Sequence, residues 1–170
     1  MSRPDAGPVS IGPLDPRDAG RVAGLMREVI AATPYYTDEA RRSEIAKYPA
    51  EALREAAADD PGAVLVAKAE GEVVGFCVSR PDDGLVWLSW FGVDPAWRGR
   101  GVADALLARL VDATRARGVH KLWCDSRTDN FPSRRALARA GFREICTVEN
   151  HWYGLDFVLL EKPVPPETPA

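Results

Sequence analysis

Hydrophobic and polar positions change period several times along this chain. The longest continuous apolar run is Leu85 to Val93, interrupted only by Ser89 and Gly92 and stopped by Asp94-Pro95. A run of that length, rich in aromatic and β-branched side chains, predicts a strand covered on both faces, and proline ends the ladder. Downstream, Val102, Leu106, Leu107, Leu110 and Val111 recur at helical spacing, predicting a helix from about Gly101 to 117 whose stripe packs back on the sheet. Gly118 stands where a helix C-terminus favours glycine.

The remaining elements follow by the same reading. Val9 to Leu14 predicts a first strand. Asp15-Pro16 opens a helix through about Ala32, with Val22, Leu25, Met26, Val29 and Ile30 on its buried side. After Thr33-Pro34 a second, partly exposed helix is expected from Asp38 to Ala58. Ala63–Ala69 and Val73–Ser79 predict strands joined through Glu70-Gly71-Glu72, and Asp82-Asp83-Gly84 turns into the central strand. Lys121 to Ser126 predicts a strand parallel to 85–93, because a helix separates the two. Asn130 to Ala140 reads as loop then helix ended by Gly141, and 143–149 and 155–162 read as closing strands. An α/β domain with a mixed, mostly antiparallel sheet is the fold class this order predicts.

At 170 residues there is material for one ordinary domain, expected over 9–162. The proline-rich ends, 1–8 and 163–170, are expected to be flexible tails. A net charge of -3 argues against nucleic-acid binding by phosphate neutralisation, although Arg98/Arg100 and Arg134/Arg135/Arg139 form local basic clusters. Cys77, Cys124 and Cys146 lie in apolar or strand-like runs without CxxC spacing, so they are expected to be reduced core thiols, with neither a disulfide framework nor a metal site. With no long apolar span and no signal-peptide core after Met1, the expectation is a cytoplasmic protein without a membrane partner.

Candidate chemistry gathers between the central strand and the next helix. Arg98-Gly99-Arg100-Gly101 combines two glycines, two cations and a helix N-terminus, a combination suited to a pyrophosphate, though a tight turn with solvated arginines reads the same way. The Rossmann and P-loop fingerprints both fail on spacing. The segment resembles the acetyl-CoA signature of the GCN5-related N-acetyltransferase (GNAT) family, Arg/Gln-x-x-Gly-x-Gly/Ala, at Arg98, Gly101 and Ala103. A second match lies downstream, at Asn130 followed by Gly141-Phe142.

The resemblance implies the GNAT fold, with about seven strands, about four helices and a splayed parallel strand pair that admits acetyl-CoA. No nucleic acid is implied as a partner, and a homodimer is one arrangement the family uses. It implies main-chain cofactor contacts from Phe91 and Val93 beside a bulge expected at Gly92, where close packing is the alternative. Further cofactor contacts fall on Arg98, Gly99, Arg100, Gly101, Val102 and Ala103, with Asn130 and Ser133 lining the cleft or capping a helix.

The implied activity is acetyl transfer from acetyl-CoA to a primary amine of a small molecule or peptide, directly within a ternary complex. The carboxylate many members carry in the central strand is absent from Trp87-Leu88-Ser89-Trp90-Phe91, and Leu137 replaces a frequent tyrosine. Asp125 is therefore the candidate base, with Tyr153 and His151 as candidate proton donors. Tyr35, Tyr36, Trp87, Trp123 and Trp152 are candidate acceptor contacts, suited to a cationic or aromatic amine, with core packing as the plain alternative. The departures leave a second function in view: a catalytically lapsed acyl-CoA-binding module.

Overall fold

A computed structural model describes residues 8–165. The sheet holds β1 (Val9–Pro13), β2 (Val64–Ala69), β3 (Glu72–Asp82), β4 (Leu85–Val93), β5 (Lys121–Arg127), β6 (Arg143–Val148) and β7 (Phe157–Pro163) in the order β1-β2-β3-β4-β5-β7-β6. Every neighbouring pair is antiparallel except β4 and β5. Five α-helices accompany it among the described residues: α1 (Ala19–Ala31), α2 (Asp38–Ala46), α3 (Ala50–Asp59), α4 (Val102–Ala116) and α5 (Phe131–Arg139).

Two apolar layers sandwich the sheet. On one face Val22, Leu25 and Met26 of α1 and Leu53 of α3 meet Val64, Val66, Phe76 and Val78. On the other, Val102, Leu106, Leu107 and Leu110 of α4, with Ala136 and Leu137 of α5, meet Leu65, Cys77, Leu88, Leu122 and Cys124. The stripe read from α4 is thus the one buried. Gly118 ends α4 at φ +69° and Gly141 follows α5 at φ +86°, conformations that glycine adopts without steric cost.

Several expectations need correction. The helix expected over 38–58 is two helices, because Pro49 cannot continue the hydrogen-bond ladder; α2 ends at Ala46 and α3 restarts after Pro49. Cys146 is exposed on the edge strand β6, whereas Cys77 and Cys124 are buried free thiols, and burial pushes the Cys77 thiol up to about 12. Pro163 and Val164, assigned to a tail, belong to the fold: β7 includes Pro163, and Val164 is buried and donates its N–H to the His120 carbonyl at 2.7 Å. The rest of the tail assignment, 1–7 and 166–170, lies outside the described residues.

The bulge is also placed differently. Val78 pairs with Trp90 and Ser79 with Leu88, so Ser89 is the extra residue on β4 and Gly92 pairs regularly with Phe76. One inserted residue reverses the alternation of side chains. Below it Val86 and Leu88 face α4, and above it Phe91 and Val93 do, leaving Trp90 on the α1 side. β4 is accordingly not covered throughout: Ser89, Trp90 and Phe91 are only half-buried.

Gly92 serves close packing. A Cβ there would stand 2.6 Å from the Phe76 ring and 3.1 Å from Val29. Gly92→Ala is expected to lower stability by about 1–3 kcal/mol, measured as a shift in the urea midpoint at constant slope.

Candidate active site

β4 and β5 are hydrogen-bonded at one end only, where Val86 pairs with Leu122 and Trp87 with Trp123. Beyond that point they diverge, while β5 stays paired with β7 along its whole length. The ladder on the other side of β4 shows which backbone groups are left over. Asp94 N–H donates to the Val74 carbonyl at 2.9 Å, so alternation turns the N–H and C=O of Phe91 and Val93 away from β3 and into the gap. One of them, the Val93 carbonyl, accepts from Arg98 Nε at 3.2 Å. The others have no strand to pair with, a condition that a ligand running along the gap would relieve.

At one end of the gap the chain leaves β4 through Asp94-Pro95 and enters α4. Gly99 and Gly101 have φ of +73° and +77°, and a Cβ at either would meet nothing within 4 Å. Open space therefore adjoins a backbone that only glycine adopts freely. No side chain caps α4 at Gly101, so its first N–H groups are available to an anion. Arg100 stacks over Trp97, with 4.8 Å to the ring centroid. Asp104, in the first turn of α4, is turned to Arg139 of α5 at 2.9 Å and so is held by a cation of its own. Asn130 accepts from the Ser133 N–H at 3.3 Å and thus caps α5 while lining the cleft beside Ser133.

A cleft of about 820 Å³ runs from Arg98, Ala103 and Ser133 through the gap to the α1 face. There Tyr35, Tyr36, Trp87, Asp125, Trp152 and Tyr153, all singled out from sequence, come together on its wall. Trp123 and His151 do not line it. Trp123 packs edge-on against Trp87 at 5.3 Å, where β4 and β5 are still joined, and its indole N–H donates to Asp82 at 3.0 Å. His151 lies against Trp152, ring centroids 4.4 Å apart. On the far side, Gly99 and Gly101 are exposed and Arg100 half-buried, none of them lining the cleft, while the Val102 side chain is buried in the core under the sheet.

Asp125 projects from β5 beyond the last residue paired with β4. Its Oδ2 accepts from the Trp152 indole N–H at 2.8 Å. Burial raises its carboxyl above the ordinary range, opposed by that hydrogen bond and by His151.

Glu44 is the site residue that sequence reasoning missed. Its side chain, 12% exposed, reaches the cleft from α2. Oε2 accepts from the Trp90 indole N–H at 3.0 Å, and Oε1 accepts from Lys47 at 2.6 Å and from the Tyr153 hydroxyl at 2.8 Å. Ser43 Oγ also stands 2.8 Å from that hydroxyl. Glu44 lies four residues after Ala40, the buried residue of α2, and that spacing was the available signal.

The turn carrying Trp152 and Tyr153 therefore crosses the cleft from β5 to α2, with Tyr153 held at φ +59°. Tyr153→Phe removes a hydrogen bond to a charged group and is expected to lower stability by about 1.5–3 kcal/mol, read as a shift in the urea midpoint.

The sheet is thus opened along one parallel seam, with glycine-bordered open space at the start of α4 on one side and a carboxylate-bearing aromatic pocket on the other. Residues 27–142 match the Acetyltransferase (GNAT) family, and the chain belongs to that family.

Over 106 residues it is 37% identical to the aminoglycoside N(6')-acetyltransferase type 1 of Stenotrophomonas maltophilia, a match covering 56% of this chain and 69% of that protein. Other curated acetyltransferases are matched over half their length or less. The fold is that of the PaiA N-acetyltransferase from Thermoplasma acidophilum in complex with coenzyme A, at TM-score 0.79 and 20% identity over 92% of this chain and 99% of that one. It is also that of YncA, a putative acetyltransferase from Salmonella typhimurium with acetyl-CoA, at TM-score 0.72 and 23% identity over 95% and 96%.

Proposed function

We propose that this protein transfers the acetyl group of acetyl-CoA to a primary amine of a small molecule or peptide, by direct attack within a ternary complex. The observation that carries the reading is the gap between β4 and β5, which joins the anion cradle to the pocket holding Asp125. The relatives support it: one is named for N-acetylation of an aminoglycoside, and two structures of the same fold hold coenzyme A or acetyl-CoA.

In this reading the main-chain N–H groups of 99–103 take the diphosphate, with Arg98 and Arg100 adding positive charge. Phe91 and Val93 pair with the pantetheine amides, and Asn130 and Ser133 border the arm. Acetyl-CoA supplies an activated acyl group as its thioester. The Val93 N–H, facing the gap, is placed to donate to the oxygen that becomes negative when the carbonyl is attacked.

An amine is protonated at neutral pH, and only its free form has a lone pair to offer. Asp125 removes that proton: Trp152 fixes one carboxylate oxygen, and Oδ1 has no donor among the described residues. Burial of the carboxyl raises its proton affinity toward the range a base needs. Tyr153 has its hydroxyl on Glu44 and Ser43, so in this reading it holds the pocket wall in shape and the protons move through Asp125. Free thiols at Cys77 and Cys124 suit a cytoplasmic setting.

The test is thiol release from acetyl-CoA, followed with a thiol reagent, on adding primary amines. Amine-dependent release supports the enzyme. Tight coenzyme A binding with no release for any amine gives the alternative of a lapsed binding module.

A further inference from the structure

We propose that Glu44 seats a second cationic nitrogen of the acceptor, so that the protein selects diamines over monoamines. The inference rests on the acceptor reading above and deepens it. Two carboxylates, Asp125 from β5 and Glu44 from α2, line one cleft, and their charges both act on the Tyr36 phenol that lines it with them.

Their surroundings divide the work between them. Among the described residues Asp125 has one donor, on Oδ2. Glu44 has three donors, and Trp90 and Tyr153 hold its carboxylate in place from two sides.

The cation on Glu44 in the free protein is Lys47, three residues along the same helix end and half exposed. Only the lysine end of this pair is well exposed, and an ammonium on a flexible stem can swing out into water and leave the carboxylate behind. An incoming ammonium can therefore replace it. That ammonium would enter the aromatic wall formed by Tyr36 and Trp90, ring centroids 5.9 Å apart, where the Glu44 charge already acts on the Tyr36 phenol. The two carboxylates thus fit the two ends of one acceptor: Asp125 at the nitrogen that reacts, Glu44 at the nitrogen that does not.

The test compares 1,6-diaminohexane with hexylamine, and then α,ω-diamines of three to eight carbons, by amine-dependent thiol release and by calorimetry on the coenzyme A-saturated protein. The unsubstituted protein is expected to favour its best diamine by about tenfold or more in kcat/KM, the scale of one partly desolvated ion pair. Glu44→Gln is expected to bring diamine and monoamine within about twofold of each other, mainly through KM. Lys47→Met is expected to act in the opposite direction, lowering the diamine KM about threefold by removing the competitor. That opposite sign separates charge recognition from a damaged pocket.

No preference for any diamine, or a preference that survives Glu44→Gln, overturns the proposal. Should no amine release thiol, the acetyl-transfer reading fails, and calorimetry still decides this one: diamine binding lost in Glu44→Gln supports it, and absence of diamine binding to the unsubstituted protein overturns it.

Discussion

Asp125→Asn is expected to lower amine-dependent thiol release by about a hundredfold or more, the usual contribution of a positioned base, while coenzyme A still binds and the folded state becomes more stable at neutral pH. The two effects have one cause. Burial raises the Asp125 carboxyl above the ordinary range, so the folded state holds its proton more tightly than the unfolded chain does. The stability linked to that proton is fully present below the unfolded value, about 4, and is lost as pH rises through the raised folded value. At neutral pH the buried charge is therefore a cost that asparagine removes, and asparagine can still accept from the Trp152 indole.

In the proposed mechanism, catalysis depends on the charge that stability disfavours. The rate should rise with pH along a limb set by the raised carboxyl, and Asp125→Asn should abolish that limb. Thermal melts at pH 5 and pH 8 beside pH–rate profiles read both effects.

Gly101→Val is expected to weaken coenzyme A binding by about a hundredfold, with little loss of fold stability beyond local backbone strain. Gly101 begins α4 at φ +77°, where an L side chain costs about 1–2 kcal/mol. A Cβ there meets no protein atom within 4 Å, so nothing in the core is disturbed. The space it enters is the space assigned to the diphosphate, and a β-branched side chain would also turn the amides out of line. Calorimetric titration with coenzyme A measures the loss, and the urea midpoint shows that the fold survives.

The elements of the half proposed for the cofactor were legible in sequence because they are local. Strand, proline stop, paired glycines and helical stripe all fall within Leu85 to Val111, and each has a short-range physical cause. The parallel relation of β4 and β5 followed from the helix between them. The acceptor half was only partly legible. Asp125 and the aromatic turn at 150–154 stood out by composition, but the partner of Trp90 is 46 residues away on a helix that reads as a solvated face.

The bulge was misplaced for a related reason. Gly92 was the conspicuous residue, whereas the extra residue at Ser89 shows only in the register against β3. Its consequence is large, since reversing the alternation is what aims Trp90 at Glu44. Trp123 was assigned to the pocket as an aromatic strand residue, yet it stands where the two strands have not yet parted.

The central claim is that one gap in the sheet carries the acetyl donor to an amine beside Asp125. It is tested most directly by mixing purified protein with acetyl-CoA and 1,6-diaminohexane and following free thiol together with the mass of the amine. The account predicts thiol and monoacetylated diamine in equal amounts, both abolished by Gly101→Val at low acetyl-CoA and both strongly slowed by Asp125→Asn. Thiol released at the same rate without the amine, or no thiol from protein saturated with acetyl-CoA across a panel of amines, would contradict it.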